Sequence, residues 1–223
     1  MSQPTILARV IVGSHLHGLA MRDSDTDVRR VWVSSLADIL SPWPLEPPEM
    51  EPEEDGWELR HFVGLIVKGN PTVLEVLASD LTLGPVDSRW LELRHLTPAM
   101  LDPVTVHRAH TGYIVSQEKL IVDARRRGDE RRASKAAVAA LRIADQGADL
   151  LRTGVLTPKV TRYRDLLIAI RADGLGGERE TEWRHELDLA VAGLDGALSD
   201  PHPSLALDRP AVLAFLASGY RWE

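Results

Sequence analysis

The alternation of apolar and polar positions divides the chain into two unlike halves. Near the N-terminus an apolar, largely β-branched run over 6–12 stops at Gly13 and predicts a buried strand. Ser14 is placed to cap a short helix or turn over 15–20, and Asp23-Ser24-Asp25 signals a further turn. A second strand is expected over 28–33, centred on the strongly β-favouring Val31-Trp32-Val33. Pro42, Pro44, Pro47, Pro48 and Pro52 then impose a loop, because each lacks a backbone donor. Trp57 and Leu59 flank Glu58 with period two, which predicts a short third strand with Glu58 pointing away from the buried face.

From there the period becomes helical. Phe62, Leu65 and Ile66 share one face of a helix over 60–68 that ends at Gly69. Asn70-Pro71 is a cap and first-turn pair for a helix over 72–78, whose Leu74 and Leu77 join Phe62 and Leu65 in the core. Further helical stretches are expected over 90–96, across a long region 105–151, and over 163–172, 182–198 and 211–217. Gly154 and Pro158 close the Ala- and Leu-rich part of the long region, and Gly174 closes the next stretch. The shift near residue 100 suggests a strand-and-helix N-terminal domain, 1–100, and a helical C-terminal domain, 101–223.

Composition narrows the chemistry. The 223 residues include no cysteine, which removes disulfides, thiolate metal sites and a cysteine nucleophile. No apolar stretch reaches the roughly 20 residues of a membrane span, and the first residues lack the pattern of a signal peptide; the expectation is a cytoplasmic protein with no membrane partner. With 26 Lys+Arg against 33 Asp+Glu the formal charge is −7, so any hold on a polyanion must come from local clusters. Acid gathers over 46–58. Base gathers at Arg125, Arg126, Arg127, Arg131, Arg132, Lys135 and Arg142.

The informative segment is Gly13-Ser14-His15-Leu16-His17-Gly18 followed by Asp23-Ser24-Asp25-Thr26-Asp27. A strand that ends in Gly-Ser before a helical turn aims backbone N–H groups and a hydroxyl at one point, which suits phosphate. Asp25 and Asp27 are two positions apart, so in extended chain they share a face and repel unless a divalent cation neutralises them. Hard oxygen ligands suit Mg2+, and a two-ion site would serve in-line phosphoryl or nucleotidyl transfer. A third carboxylate is offered by Glu58 on strand geometry, or by Glu53 five residues earlier.

The string GSHLHGLAMRDSDTDVRRVWV resembles the Gly-Ser and Asp-x-Asp signature of the DNA polymerase beta nucleotidyltransferase superfamily. GWELRHFVGLIVKGNPTVLEVL and ERRASKAAVAALRIADQGADLL resemble later blocks of its predicted-nucleotidyltransferase branch, which is associated with RNA repair. The similarity covers most of residues 5–155. It implies an α+β fold: a small mixed β-sheet nucleotidyltransferase core flanked by helices, then a mostly helical C-terminal domain, with nucleotide bound between them. Matched position by position, Gly13 and Ser14 take the phosphate-holding places, and Asp25 and Asp27 the metal carboxylates. Motif position favours Glu53 as the third acid, while Glu58 fills a second acidic place; Arg30 stands where the family commonly has Gly. The implied reaction is Mg2+-dependent transfer of NMP from NTP to a hydroxyl, with two ions, Mn2+ as the alternative metal, and an RNA end among the candidate acceptors.

Further candidates are weighed against plainer roles. Arg131, Lys135 and Arg142 line one helical face that could hold a triphosphate or an RNA backbone, or could simply face solvent. Arg29 and Lys68 complete the candidate nucleotide-contacting cations, Lys68 also reading as a cation at a helix C-terminus. Glu75, among apolar neighbours, reads as structural, capping or pairing with a base such as Arg29. Two rival functions stand beside the transferase: a nucleotide-binding regulatory or antitoxin-like module without turnover, and a zinc hydrolase using His15 and His17.

Overall fold

The computed structural model describes residues 3–51 and 54–220. A three-stranded mixed sheet in the order β1-β2-β3 forms the N-terminal half, from β1 (Thr5–Ile11), β2 (Val28–Val33) and β3 (Glu54–Glu58). β1 and β2 are antiparallel, with a register shift between Ile6 and Ala8, and β2 and β3 are parallel. The free edge of β1 is covered by a loop: Ile11 N–H donates to Leu81 C=O and Leu83 N–H to Arg9 C=O, both at 2.8 Å. The mixed sheet and helical second half agree with the expected α+β class.

Alternation gives the sheet two distinct faces. Ala8, Val10, Val31 and Val33 are buried on one, against α3 (Leu59–Val67) and α4 (Pro71–Ala78), where Phe62 stacks between Trp57 and Trp90. The other face carries Arg9, Arg30 and Glu54, joined in two ion pairs to the Glu54 carboxylate. β2 runs unbroken through Arg30. The glycine that this region needs lies opposite it, at Gly56, where a Cβ would sit 2.0 Å from the Arg30 carbonyl oxygen.

In the first half local structure departs from the expected pattern in three places. The chain after β1 forms a short helix, α1 (Gly13–Leu16), whose N-cap is Val12, so Ser14 lies inside it and does not cap it. A short helix absent from the pattern reading, α2 (Leu36–Leu40), follows Ser35, whose hydroxyl accepts from Asp38 N–H. The third strand ends at Glu58 instead of continuing to Leu59, because the Glu58 carboxylate caps α3 by accepting from Arg60 N–H at 2.8 Å. Glu58 is therefore buried, at 7% exposure, and not turned outward.

The second half is helical: α5 (Ser88–Leu96), a 3-10 turn (Thr97–Met100), α6 (Pro103–Arg126), α7 (Glu130–Thr153), α8 (Arg164–Asp173), α9 (Glu178–Ser199) and α10 (Arg209–Gly219). The long region read over 105–151 is two helices. Gly128 breaks it, and Asp129 restarts it by accepting from Arg132 N–H. α7 is the axis of this half, packed against α6, α8 and α9. Its rear is a strip of buried small residues, Ala133, Ala136, Ala137, Ala140, Ala144 and Ala148, which lets its neighbours come close. Trp183 of α9 donates its indole N–H to the Ala137 carbonyl at 2.9 Å. α10 returns to the first half, where the Tyr220 hydroxyl just beyond it donates to Glu58 Oε1 at 2.5 Å. The buried apolar residues form a cluster running from Leu7 to Phe215. Among the described residues no helix is long and apolar enough to cross a membrane.

Candidate active-site cleft

A cleft of about 780 Å³ opens between the sheet end and the helical half, within the roughly 300–1,000 Å³ typical of small-ligand sites. The first half supplies the loop after β1, the loop before β2, and α4; the second supplies α6, α7 and the end of α8. Gly13, two residues past the end of β1, opens α1 with φ +65, a conformation that costs other residues energy. A Cβ there would lie 2.6 Å from Asp27 Oδ2, so only glycine lets that carboxylate lie against the turn. Val12 N–H donates to Asp27 C=O at 2.9 Å and fixes the backbone of the pair. Asp25 and Asp27 thus sit in the approach to β2, just before its first residue, and both line the cleft.

Of the residues singled out from the sequence, Gly13, Ser14, Asp25, Asp27, Arg29, Lys135 and Arg142 line this one cleft. Arg131 lines it too, so the expected face of α7 does look inward. Glu58 does not join them. Its register partner on β2 is Trp32, on the sheet face opposite Arg29, and its carboxylate is taken up by Arg60 N–H and Tyr220. Burial first, then Glu58, holds the Tyr220 phenol protonated well above its ordinary value. Lys68 caps the end of α3, exposed and outside the cleft lining. Glu53 lies outside the described residues.

The histidine pair separates. His15 is exposed, 3.4 Å from the Ser24 carbonyl, whereas His17 is buried. Its Nδ1 meets the Pro158 carbonyl at 2.9 Å and must donate, since a carbonyl only accepts; its Nε2 lies 3.4 Å from Glu75. Among the described residues no group of three or more His, Asp or Glu side chains is arranged to hold a metal ion. Asp25 and Asp27 make a pair, not a cage.

Glu75 pairs with Arg142 rather than with Arg29. Arg142 also donates to Gln146 Oε1 at 3.0 Å, and Gln146 Nε2 donates to the Pro158 carbonyl at 2.7 Å, the oxygen that His17 reaches. Glu75, Arg142, Gln146, Pro158 and His17 therefore close a ring on the cleft floor that joins α4, α7, the loop after α7 and the turn after β1. Burial raises the Glu75 carboxyl, but Arg142 and then His17 outweigh it and hold the group down to about 2. Nearby, His110 of α6 is buried and donates from Nδ1 to the Val106 carbonyl; burial pushes it down to about 4, against a smaller upward pull from Glu75.

The sequence reading passed over Arg171. It closes α8 and lines the cleft beside the Asp23-Ser24-Asp25 loop, its Nη2 3.4 Å from Ser24 Oγ. A lone arginine in the last turn of a helix reads from sequence as compensation for the helix dipole. Elsewhere, a depression of about 440 Å³ under the proline-rich loop shares no residue with this cleft.

Residues 2–181 match the RNA repair pathway DNA polymerase beta family. A crystal structure of a nucleotidyltransferase-like protein from Exiguobacterium sibiricum aligns over 88% of this chain and 69% of that one, at 12% identity and a TM-score of 0.32. That likeness carries no argument here. No curated protein matches the chain at a significant level.

Proposed function

We propose, because this chain belongs to the RNA repair pathway DNA polymerase beta family, that its cleft moves a nucleoside monophosphate from an NTP to a hydroxyl acceptor and releases pyrophosphate. The carrying observation is that Asp25 and Asp27, neither ion-paired among the described residues, share one cleft with Gly13, Ser14 and the cationic face of α7. Carboxylates so placed repel, and their all-oxygen donor set fits Mg2+, with Mn2+ as the alternative. Asp25 and Asp27 would hold the metal, with Glu53, which motif position favours and which lies outside the described residues, as the candidate third acid. Ions bound there would stabilise charge on the attacking and departing oxygens.

The rest falls to the chain's own groups. The Ser14 hydroxyl and the turn after Gly13 orient the phosphates, and Lys135 and Arg131 neutralise them from α7. Arg142 is held by Glu75 and Gln146, so it lines the cleft with its geometry already fixed. The family's association with RNA repair supports an RNA end as the acceptor. The test incubates the full chain with Mg2+, each labelled NTP in turn, and an RNA pool. Wild type should label RNA and release pyrophosphate, and Asp25→Asn with Asp27→Asn should do neither while keeping its circular dichroism and melting temperature. Turnover retained in the double variant would sink the reading. NTP binding without pyrophosphate release would instead assign a non-catalytic nucleotide-binding module.

A further inference from the structure

We infer that Arg171 is a phosphate-binding residue of the cleft, contributed by the helical half and aimed at the non-transferred phosphates of the nucleotide. The inference rests on the nucleotide reading above. Arg142 is neutralised by Glu75, Arg29 donates to its neighbour's carbonyl at Val28, and Arg131 and Lys135 are exposed on α7.

Arg171 differs from Arg142 in having no counterion, from Arg131 and Lys135 in its burial, and from Arg29 in a head group whose Nε is out of solvent without an acceptor among the described residues. It is half-buried, and among the described residues it forms no ion pair, although carboxylates lie close by in sequence and across the cleft. Asp173, two residues on, is taken by Arg179. Among the described residues the one partner of the Arg171 head group is the neutral Ser24 hydroxyl, at the long distance of 3.4 Å. Its Nε is out of solvent and has no acceptor. A buried donor left unmatched is costly, and buried charge costs more. A guanidinium in that state lacks an acceptor with two oxygens in a plane, which a phosphate supplies.

The arginine is also held in place from behind. Leu175 N–H donates to Ser134 Oγ at 3.1 Å, and Arg125 donates to the Leu175 carbonyl at 2.7 Å, so the end of α8 is tied to α6 and α7. Arg171 therefore faces the Asp23-Ser24-Asp25 loop from a fixed wall. Phosphates bound between Ser14 and α7 would lie within the same cleft that Arg171 lines.

The probe is inorganic tripolyphosphate with Mg2+, which carries the phosphate chain common to every NTP, titrated into the full chain by calorimetry. Arg171→Ala should weaken it by about tenfold or more, and Arg171→Lys should recover part, since an ammonium restores charge without the fork. Ser24→Ala should leave the affinity within about twofold, because the assignment does not need the Ser24 contact. Melting curves confirm that each variant is folded. Unchanged affinity in Arg171→Ala overturns the inference, and so does an equal loss in Ser24→Ala, which would make Arg171 a tether for the loop. If wild type binds tripolyphosphate but no NTP raises pyrophosphate, the transfer reading fails and the phosphate site stands. If wild type binds neither tripolyphosphate nor any NTP, both fall together.

Discussion

Arg142 on α7 and Glu75 on α4 form an ion pair with only 10% of either side chain exposed, and it joins the helical half of the chain to the half that carries the sheet. The pair is one side of the closed ring that also includes Gln146, the Pro158 carbonyl and His17. Four separate segments thus depend on one another's geometry at the floor of the cleft.

Breaking that pair from one side should be expensive. Glu75→Gln leaves the Arg142 charge buried without its counterion, which typically costs roughly 3–5 kcal/mol. Urea unfolding should show this loss for Glu75→Gln, and a smaller one for Glu75→Leu combined with Arg142→Met, which removes both charges. Equal stability of Glu75→Gln and wild type would mean that the pair contributes nothing to the join.

Acid should weaken the fold in two stages. The folded value of His110 lies near 4, below its ordinary 6.5, so as the pH falls between those values the unfolded chain takes up a proton that the folded chain refuses. Stability present above pH 6.5 is therefore lost on the way down, by roughly 3 kcal/mol at most. Glu75 acts in a lower window, from its ordinary 4.5 to about 2, with the same sign. Urea midpoints followed through the upper window should slope steeply in wild type and much less in His110→Leu.

Gly13→Ala should harm both fold and chemistry. The left-handed backbone at Gly13 alone costs an L-residue roughly 1–2 kcal/mol, and the added methyl would sit 2.6 Å from Asp27 Oδ2 and force that carboxylate aside. Pyrophosphate release should fall on the order of a hundredfold, as small displacements of reacting groups do. Near-normal release would detach Asp27 from the reaction.

Glu53 and Glu58 should separate cleanly. Glu58→Gln removes the charge and keeps only one of the two oxygens that accept from Arg60 N–H and the Tyr220 hydroxyl, at a cost of roughly 0.5–2 kcal/mol, while pyrophosphate release at permissive temperature stays near wild type. Glu53→Gln should abolish release with little change in melting temperature. The reverse pattern would restore Glu58 as the third acid.

What the sequence made legible was local. The strand before Gly13, the close spacing of Asp25 and Asp27, and the four- and seven-residue intervals that bring Arg131, Lys135 and Arg142 to one face of α7 are set by neighbours along the chain. Pairings across long separations were not. Glu58 looked outward because its flanking residues are apolar, and nothing near it announces a tyrosine 162 positions later. Glu75 found its arginine 67 positions away, on a helix whose docking no periodicity describes. Arg171 stayed hidden for the same reason, since its significance is the loop it faces and not the helix it ends.

The alanine strip along the rear of α7 reaches well beyond the helix that bears it. It sets how deeply α7 nests among its neighbours, and so how far its charged front stands from the aspartates opposite. A bulkier side chain anywhere on that strip would push the front forward and narrow the opening without altering a single residue that lines it. The width of the cleft is in that sense written on the far side of the helix, away from every residue that lines it.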